Sequence, residues 1–290
     1  MCIRDSYYAY LFFCGVVFFF LIAPLIAIIP ISFSVSPFMV FTDEMLSWPP
    51  DPDAWSLRWY KNMIGNCSAD VVSSTVPCSN KWMIGTVNSF FIGFVATFIA
   101  TTLGTLAALG LSRPHMPYKG LIMAILISPM IVPLIITAAG MFFFYARINL
   151  VYSFTGIILA HVALATPFVV ITVTATLVGF DMNMVKASQS LGARPVRTFF
   201  KVIMPLILPG VISGALFAFI TSFDEVVIVM FMASLDQLTI PKQMWAGIRQ
   251  EISPVILCMA TCLVVLSILL LTTVELLRRR SEKLRGITSR

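Results

Sequence analysis

Apolar residues gather into six runs, at about residues 8–32, 84–111, 121–145, 154–178, 208–232 and 254–277. Each exceeds the roughly 20 residues a helix needs to cross the hydrocarbon core of a bilayer, so the pattern predicts six membrane-spanning helices. Pro129 and Pro133 should bend the third, and Pro167 lies inside the fourth; such breaks are tolerated where neighbouring helices satisfy the freed carbonyls. Gly210 and Gly214, one helical turn apart in the fifth run, are spaced to let another helix approach closely. Between the first two runs lies a polar segment from Ser34 to Trp82 with Trp48, Trp55, Trp59 and Trp82. It should lay tryptophans at the membrane interface and hold short helices. The first six residues, MCIRDS, fit neither a signal peptide nor the following run, and read as a processing scar or truncated start. The run itself lacks a small-residue cleavage site and reads as a retained span.

The longest stretch of the back half that cannot sit in lipid is Asp181 to Gly210. Asp181 can cap a helix, and Met184, Ala187, Ser188 and Leu191 then fall at helical spacing until Gly192 ends it. Pro195 suits the first turn of a second helix reaching Ile203, and Pro205 and Pro209 mark the start of the fifth run. The pattern predicts a helix, a glycine turn and a second helix lying on one membrane face.

Composition agrees with a multi-pass membrane protein: 59% of residues are hydrophobic and 11% charged, and mean hydropathy is +0.96. The net charge of +6 does not point to nucleic acid, because the basic residues flank apolar runs without aromatic interleaving. Sorted by the six-span frame, thirteen of the nineteen Lys and Arg residues fall on the side of the termini and of the 181–205 loop, against six on the other. Under the positive-inside rule both termini and that loop are cytoplasmic. The chain then reads as a first span plus external loop (1–79), a transmembrane domain (80–278) and a basic cytoplasmic tail (279–290). In the external loop Cys67 and Cys78 are able to form a disulfide, whereas Cys258 and Cys262 read as packing residues within a span.

Catalytic chemistry has little to work with. There is no GxxxxGK[ST] phosphate loop, no metal-ligand spacing, and no nucleophile grouped with a base. No cofactor is implied. His161 reads as a hydrogen-bonded core residue. Asp224 and Glu225 are the one adjacent acidic pair inside a predicted span, in its outer half. A charge at that depth costs about 2.5–3.5 kcal/mol and needs a partner, a wet cavity or an interfacial position. The pair therefore reads either as a structural cap or ion pair, or as the lining of a path for a cation.

The 181–205 loop resembles the cytoplasmic signature of permease subunits of binding-protein-dependent ABC importers: Glu-Ala-Ala, three residues, Gly, nine residues, Ile, any residue, Leu-Pro. Here it stands as Lys186-Ala187-Ser188, Gly192 and Val202-Ile203-Met204-Pro205, with the spacing kept and a reversed charge at Lys186. The resemblance implies an all-α, MetI-like permease fold in the bacterial cytoplasmic membrane. It further implies docking of a separate ATP-binding subunit, present as a dimer, on Lys186, Ala187, Ser188, Gly192, Ala193, Val202, Met204 and Pro205. A second permease, expected to be a paralogue, and an external solute-binding protein would complete the system. Ser222 to Val227, with Asp224 and Glu225, resembles the fifth-span segment of spermidine/putrescine permeases, which implies polyamine import. Another cationic solute such as iron(III) or thiamine, or an ion-gradient-driven secondary transporter, are the alternatives.

Overall fold

The computed structural model describes residues 2–49, 51–65, 80–113, 115–178, 180–181, 183–250 and 253–284. Cys67 and Cys78 lie outside them. Thirteen α-helices order the described residues: α1 (Cys2–Ser32), α2 (Asp43–Leu46), α3 (Arg58–Met63), α4 (Lys81–Leu111), α5 (Lys119–Ile131), α6 (Leu134–Arg147), α7 (Phe154–Val178), α8 (Asn183–Ser190), α9 (Pro195–Thr198), α10 (Met204–Phe223), α11 (Val227–Met232), α12 (Ile240–Gln250) and α13 (Val255–Leu284). Among the described residues there is no β-sheet, only one isolated antiparallel bridge between Ser34 and Trp55.

Among the described residues five stretches are long and apolar enough to cross a membrane, and α5 with α6 brings the number to six if that bent pair is one span. The fourth predicted run coincides with α7. Two predictions need correction. The third run is not merely bent: α5 and α6 meet at 102°. Pro129 falls near the end of α5, and Pro133 stands as the cap of α6, where its missing N–H costs nothing. The fifth run does not reach residue 232, because α10 stops at Phe223 and α11 restarts after Val226. At its other end, Pro205 and Pro209 do not open a new helix. The chain is helical without a break from Pro195 to Phe223. The turn ahead of Pro205, Phe199–Ile203, widens into a π-helix. A proline ring in a regular α-helix would clash with the carbonyl four residues back, that of Lys201, and the wider turn relieves the conflict.

The chain divides into two compact units, Met1–Met83 with Ala246–Arg290, and Ile84–Trp245. In the first, α1 packs on α13, and α3 packs on α13 as well. α1 is apolar all round and has no polar face to turn to water; Phe12, Phe18, Phe19 and Phe20 are exposed, as suits a lipid-facing helix. The polar segment after it holds short helices, as its sequence predicts, and is anchored by Trp59. That ring is fully buried, donates from Nε1 to the Ser34 carbonyl at 3.0 Å, and lies 4.3 Å below the Arg58 guanidinium. Cys258 is buried and donates to the Ser32 carbonyl at 3.3 Å. Cys262, expected to pack, is instead exposed.

In the second unit α7 is the centre, and its pairing with α10 is the most extensive in the molecule. Lipid tails are as apolar as leucine, so close packing rather than water exclusion must hold these helices together. Gly210 and Gly214 provide it. A Cβ at Gly210 would collide with Thr176, and one at Gly214 would lie 2.5 Å from Thr172 Oγ1 and 3.0 Å from Val169 Cα. The threonine hydroxyls at this seam are satisfied within α7, Thr172 on Phe168 and Thr176 on Thr172 at 2.9 Å each. Phe90 and Phe94 of α4 meet Phe219 and Phe223 of α10 with ring centroids 5.1–6.5 Å apart.

Candidate functional site

Two places in the second unit carry functional side chains: the 181–205 loop, and the break between α10 and α11.

The loop forms as its local sequence directs. The Asp181 carboxylate accepts from the Asn183 N–H at 2.9 Å and opens α8. Gly192 ends the helix at φ +77, a conformation side chains resist, and the Ala193 N–H reaches back to the Ser188 carbonyl at 3.1 Å. Ser188 and Thr198 hydroxyls meet at 2.8 Å and tie α8 to α9. Thr198 is buried, while no residue of α8 is. Met184, Ala187 and Leu191 share one face and all are exposed, Leu191 at 88%. Lys186, Arg194, Arg197 and Lys201 are exposed around them. An apolar stripe that the chain leaves uncovered, ringed by cations, suits a protein partner. Of the remaining residues of the signature, Gly192 and Pro205 are exposed, and Ala193, Val202 and Met204 are half-buried.

The break separates the two acidic residues that the sequence leaves as a pair. Asp224 caps the C-terminus of α10, its N–H bonded to the Ile220 carbonyl, and its side chain is exposed. Glu225 is buried, at 7% exposure, and its Oε1 accepts from the Ile228 N–H at 2.9 Å. It thus caps α11 from within the protein. α11 is a short helix with Ile228, Val229 and Met232 buried. Its far end is closed by Lys242 of α12, whose Nζ donates to the carbonyls of Val229 and Ala233 at 3.3 and 3.1 Å. A carboxylate at the N-terminus and an ammonium at the C-terminus both oppose the helix dipole. Burial pushes the Lys242 ammonium pKa down, so the carbonyls it holds are its compensation.

Further bonds fix the break. The Tyr152 N–H donates to the Met232 carbonyl at 2.9 Å, and Gln237 Nε2 to the Tyr152 carbonyl at 2.9 Å. Asn88 of α4 donates to the carbonyls of Asp236 and Leu238, 2.9 Å each. His161, in the middle of α7, lies with Nδ1 2.8 Å from Ser222 Oγ, two residues before the break. It is the hydrogen-bonded core histidine its sequence setting suggests. Lys242, Asn88 and Gln237 are missed by sequence reading, because each acts on a carbonyl of another element, beyond the reach of a local pattern.

Apolar spans interrupted by a polar loop with an uncovered apolar stripe define a multi-pass membrane subunit suited to a protein partner. The family model for the binding-protein-dependent transport system inner membrane component matches residues 100–283. The chain belongs to that family, as a transmembrane permease subunit of an ABC importer in the bacterial inner membrane. The spermidine/putrescine transport system permease protein PotC of Haemophilus influenzae is 28% identical over 267 residues, covering 92% of this chain and 95% of that protein. The putrescine transport system permease protein PotI of Escherichia coli K12 is 28% identical over 252 residues, with 84% and 81% covered. Among solved structures, a bacterial ABC transporter involved in the import of the acidic polysaccharide alginate superposes with a TM-score of 0.71 at 14% identity, covering 94% of this chain and 96% of that one, a likeness of fold.

Proposed function

We propose that this permease carries a polyamine of the spermidine or putrescine type inward, driven by a dimer of separate ATP-hydrolysing subunits docked on the 181–205 loop. The observation that carries the docking is the exposed stripe of Met184, Ala187 and Leu191 beside the signature residues Lys186, Ser188, Gly192, Ala193, Val202, Met204 and Pro205. Both termini and the loop are then cytoplasmic, in line with the thirteen-to-six bias of basic residues. Residues 80–278 act as the permease domain, with residues 1–79 and 279–290 as additions at its ends. A second permease subunit completes the path, and an external binding protein delivers the solute.

Asp224 is the residue we assign to the path. Its carboxylate is exposed at the end of α10, directly after Phe223 of the aromatic group shared with α4. A carboxylate beside aromatic faces suits an alkylammonium chain stripped of part of its water. Glu225 serves the path by holding the break open. Support also comes from the names of the relatives, which are polyamine permeases. The test is uptake of labelled spermidine and putrescine into proteoliposomes holding the chain with its co-purified subunits. Uptake should require ATP inside and fall with Asp224→Asn while the amount of assembled complex is unchanged. Unchanged uptake in that variant removes Asp224 from the path, and a complex that concentrates other cations but no polyamine overturns the substrate.

A further inference from the structure

Behind the coupling loop lies a cavity of about 1000 Å³. Its walls come from the end of α4, the turn that follows, the end of α7, and the loop itself. Arg113 and His115 stand on one side, Gln189 and Thr198 on the other, and Leu106 and Leu177 are among the apolar residues between them. Among the described residues no acidic side chain lines it. Leu106 is 58% exposed on the span surface, so the apolar wall continues onto the face of α4 that meets lipid.

The two faces of α8 divide the work. At 100° per residue, Val185 and Gln189, which line the cavity, lie on the side of the helix away from Met184, Ala187 and Leu191. Whatever fills the cavity supports the coupling helix from behind and does not compete with a partner on its front.

We propose that this cavity binds an anionic phospholipid of the cytoplasmic leaflet, its headgroup at Arg113 and His115 and an acyl chain along Leu106 and Leu177. The inference rests on the cytoplasmic placement of the loop proposed above. The charge of the lining selects the occupant. A purely apolar filler leaves Arg113 without a counter-charge in the cavity, and a free anion leaves the leucine walls uncovered. Basic pockets among spans on the cytoplasmic side are suited to anionic headgroups. Arg113 and His115 are exposed, so a headgroup can reach them, and the Arg113 backbone closes the turn, its N–H bonded to the Gly110 carbonyl at 3.2 Å and its carbonyl accepting from Met116 at 3.3 Å. A lipid there would tie the α4–α5 turn to the loop, and make coupling depend on the composition of the inner leaflet.

The experiment is native mass spectrometry of the full chain, with whatever subunits accompany it, extracted from membranes and exchanged into mixed phosphatidylcholine and phosphatidylglycerol. The wild type should retain phosphatidylglycerol in preference to phosphatidylcholine. Arg113→Gln with His115→Gln should lower that retention about fivefold. Gly110→Phe is the second variant. Gly110 lines the cavity and the nearest atom to a Cβ there is Met116 Sδ at 3.9 Å, so a bulky side chain at this position should exclude the lipid with Arg113 and His115 intact. Equal retention of both lipids, equal retention in all three proteins, or displacement of the lipid by millimolar inorganic phosphate would each overturn the proposal. Co-purification of an ATPase is scored separately. Its absence refutes the docking proposal while leaving the lipid count to stand or fall by itself.

Discussion

The 181–205 loop and the α10–α11 break lie in one compact unit, yet they are built on opposite principles. The loop is held by bonds between near neighbours: Asp181 with Asn183, Ala193 with Ser188, and Ser188 with Thr198. It leaves its apolar stripe outside. The break is held by groups from several parts of the chain: Glu225, Lys242 and Tyr152 bond α11, and His161 lies against Ser222 at the end of α10. It buries Glu225 and leaves Asp224 exposed. A loop with the docking role proposed for it can be autonomous, since a partner would complete it. A helix break at membrane depth must be completed from within, because each uncapped N–H or C=O costs several kcal/mol where there is no water.

The comparison is broken most sharply at Gly192. With φ at +77, a residue there that cannot adopt the left-handed region reorients α9 relative to α8. Gly192→Pro should reduce transport to background while the protein remains in the membrane at normal level; transport near that of the wild type would remove the loop from coupling. Ala187→Asp should come close behind, since it places a charge in the exposed stripe without altering the fold.

The acidic pair gives the next effect and sharpens the contrast within two adjacent residues. Glu225→Ala strands the buried Ile228 N–H, and should lower thermal stability in detergent by about 1–3 kcal/mol. Asp224→Asn should shift stability by less than about 0.5 kcal/mol and act on uptake instead. If the two variants behave alike, the division of labour between cap and path is wrong.

Lys242→Met tests the other end of α11. Loss of the bonds to the Val229 and Ala233 carbonyls should cost about 1–2 kcal/mol, less than a fully buried charged pair because Lys242 is half-buried. Additivity of Lys242→Met with Glu225→Ala would show that the caps act independently, and a shortfall that they share one cooperative helix. The smallest change belongs to the loop: Ser188→Ala loses the bond to Thr198 and should cost no more than about 1 kcal/mol, with transport only mildly reduced.

Much of this molecule is legible along the chain. The run at about 154–178 predicts α7, the Gly210 and Gly214 spacing predicts a close helix approach, which falls on α7, and Asp181 and Gly192 bound α8 as capping chemistry requires. These succeed because their causes lie within one or two helical turns. The fifth run fails for an equally physical reason. Val226 to Met232 is as apolar as the helix before it, so hydropathy cannot see a break that needs only three residues.

What the sequence by itself determined is therefore the number of apolar runs, the polar loop with its caps and glycine turn, and the family to which its spacing points. Tertiary structure decided where the fifth run stops, which of two adjacent carboxylates is buried, and the 102° turn between α5 and α6. Helix formation and termination by capping are local free energies that a short window of side chains sets. The far end of a short helix such as α11 is satisfied only where groups from other elements reach it, and Lys242 and Tyr152 arrive through the fold.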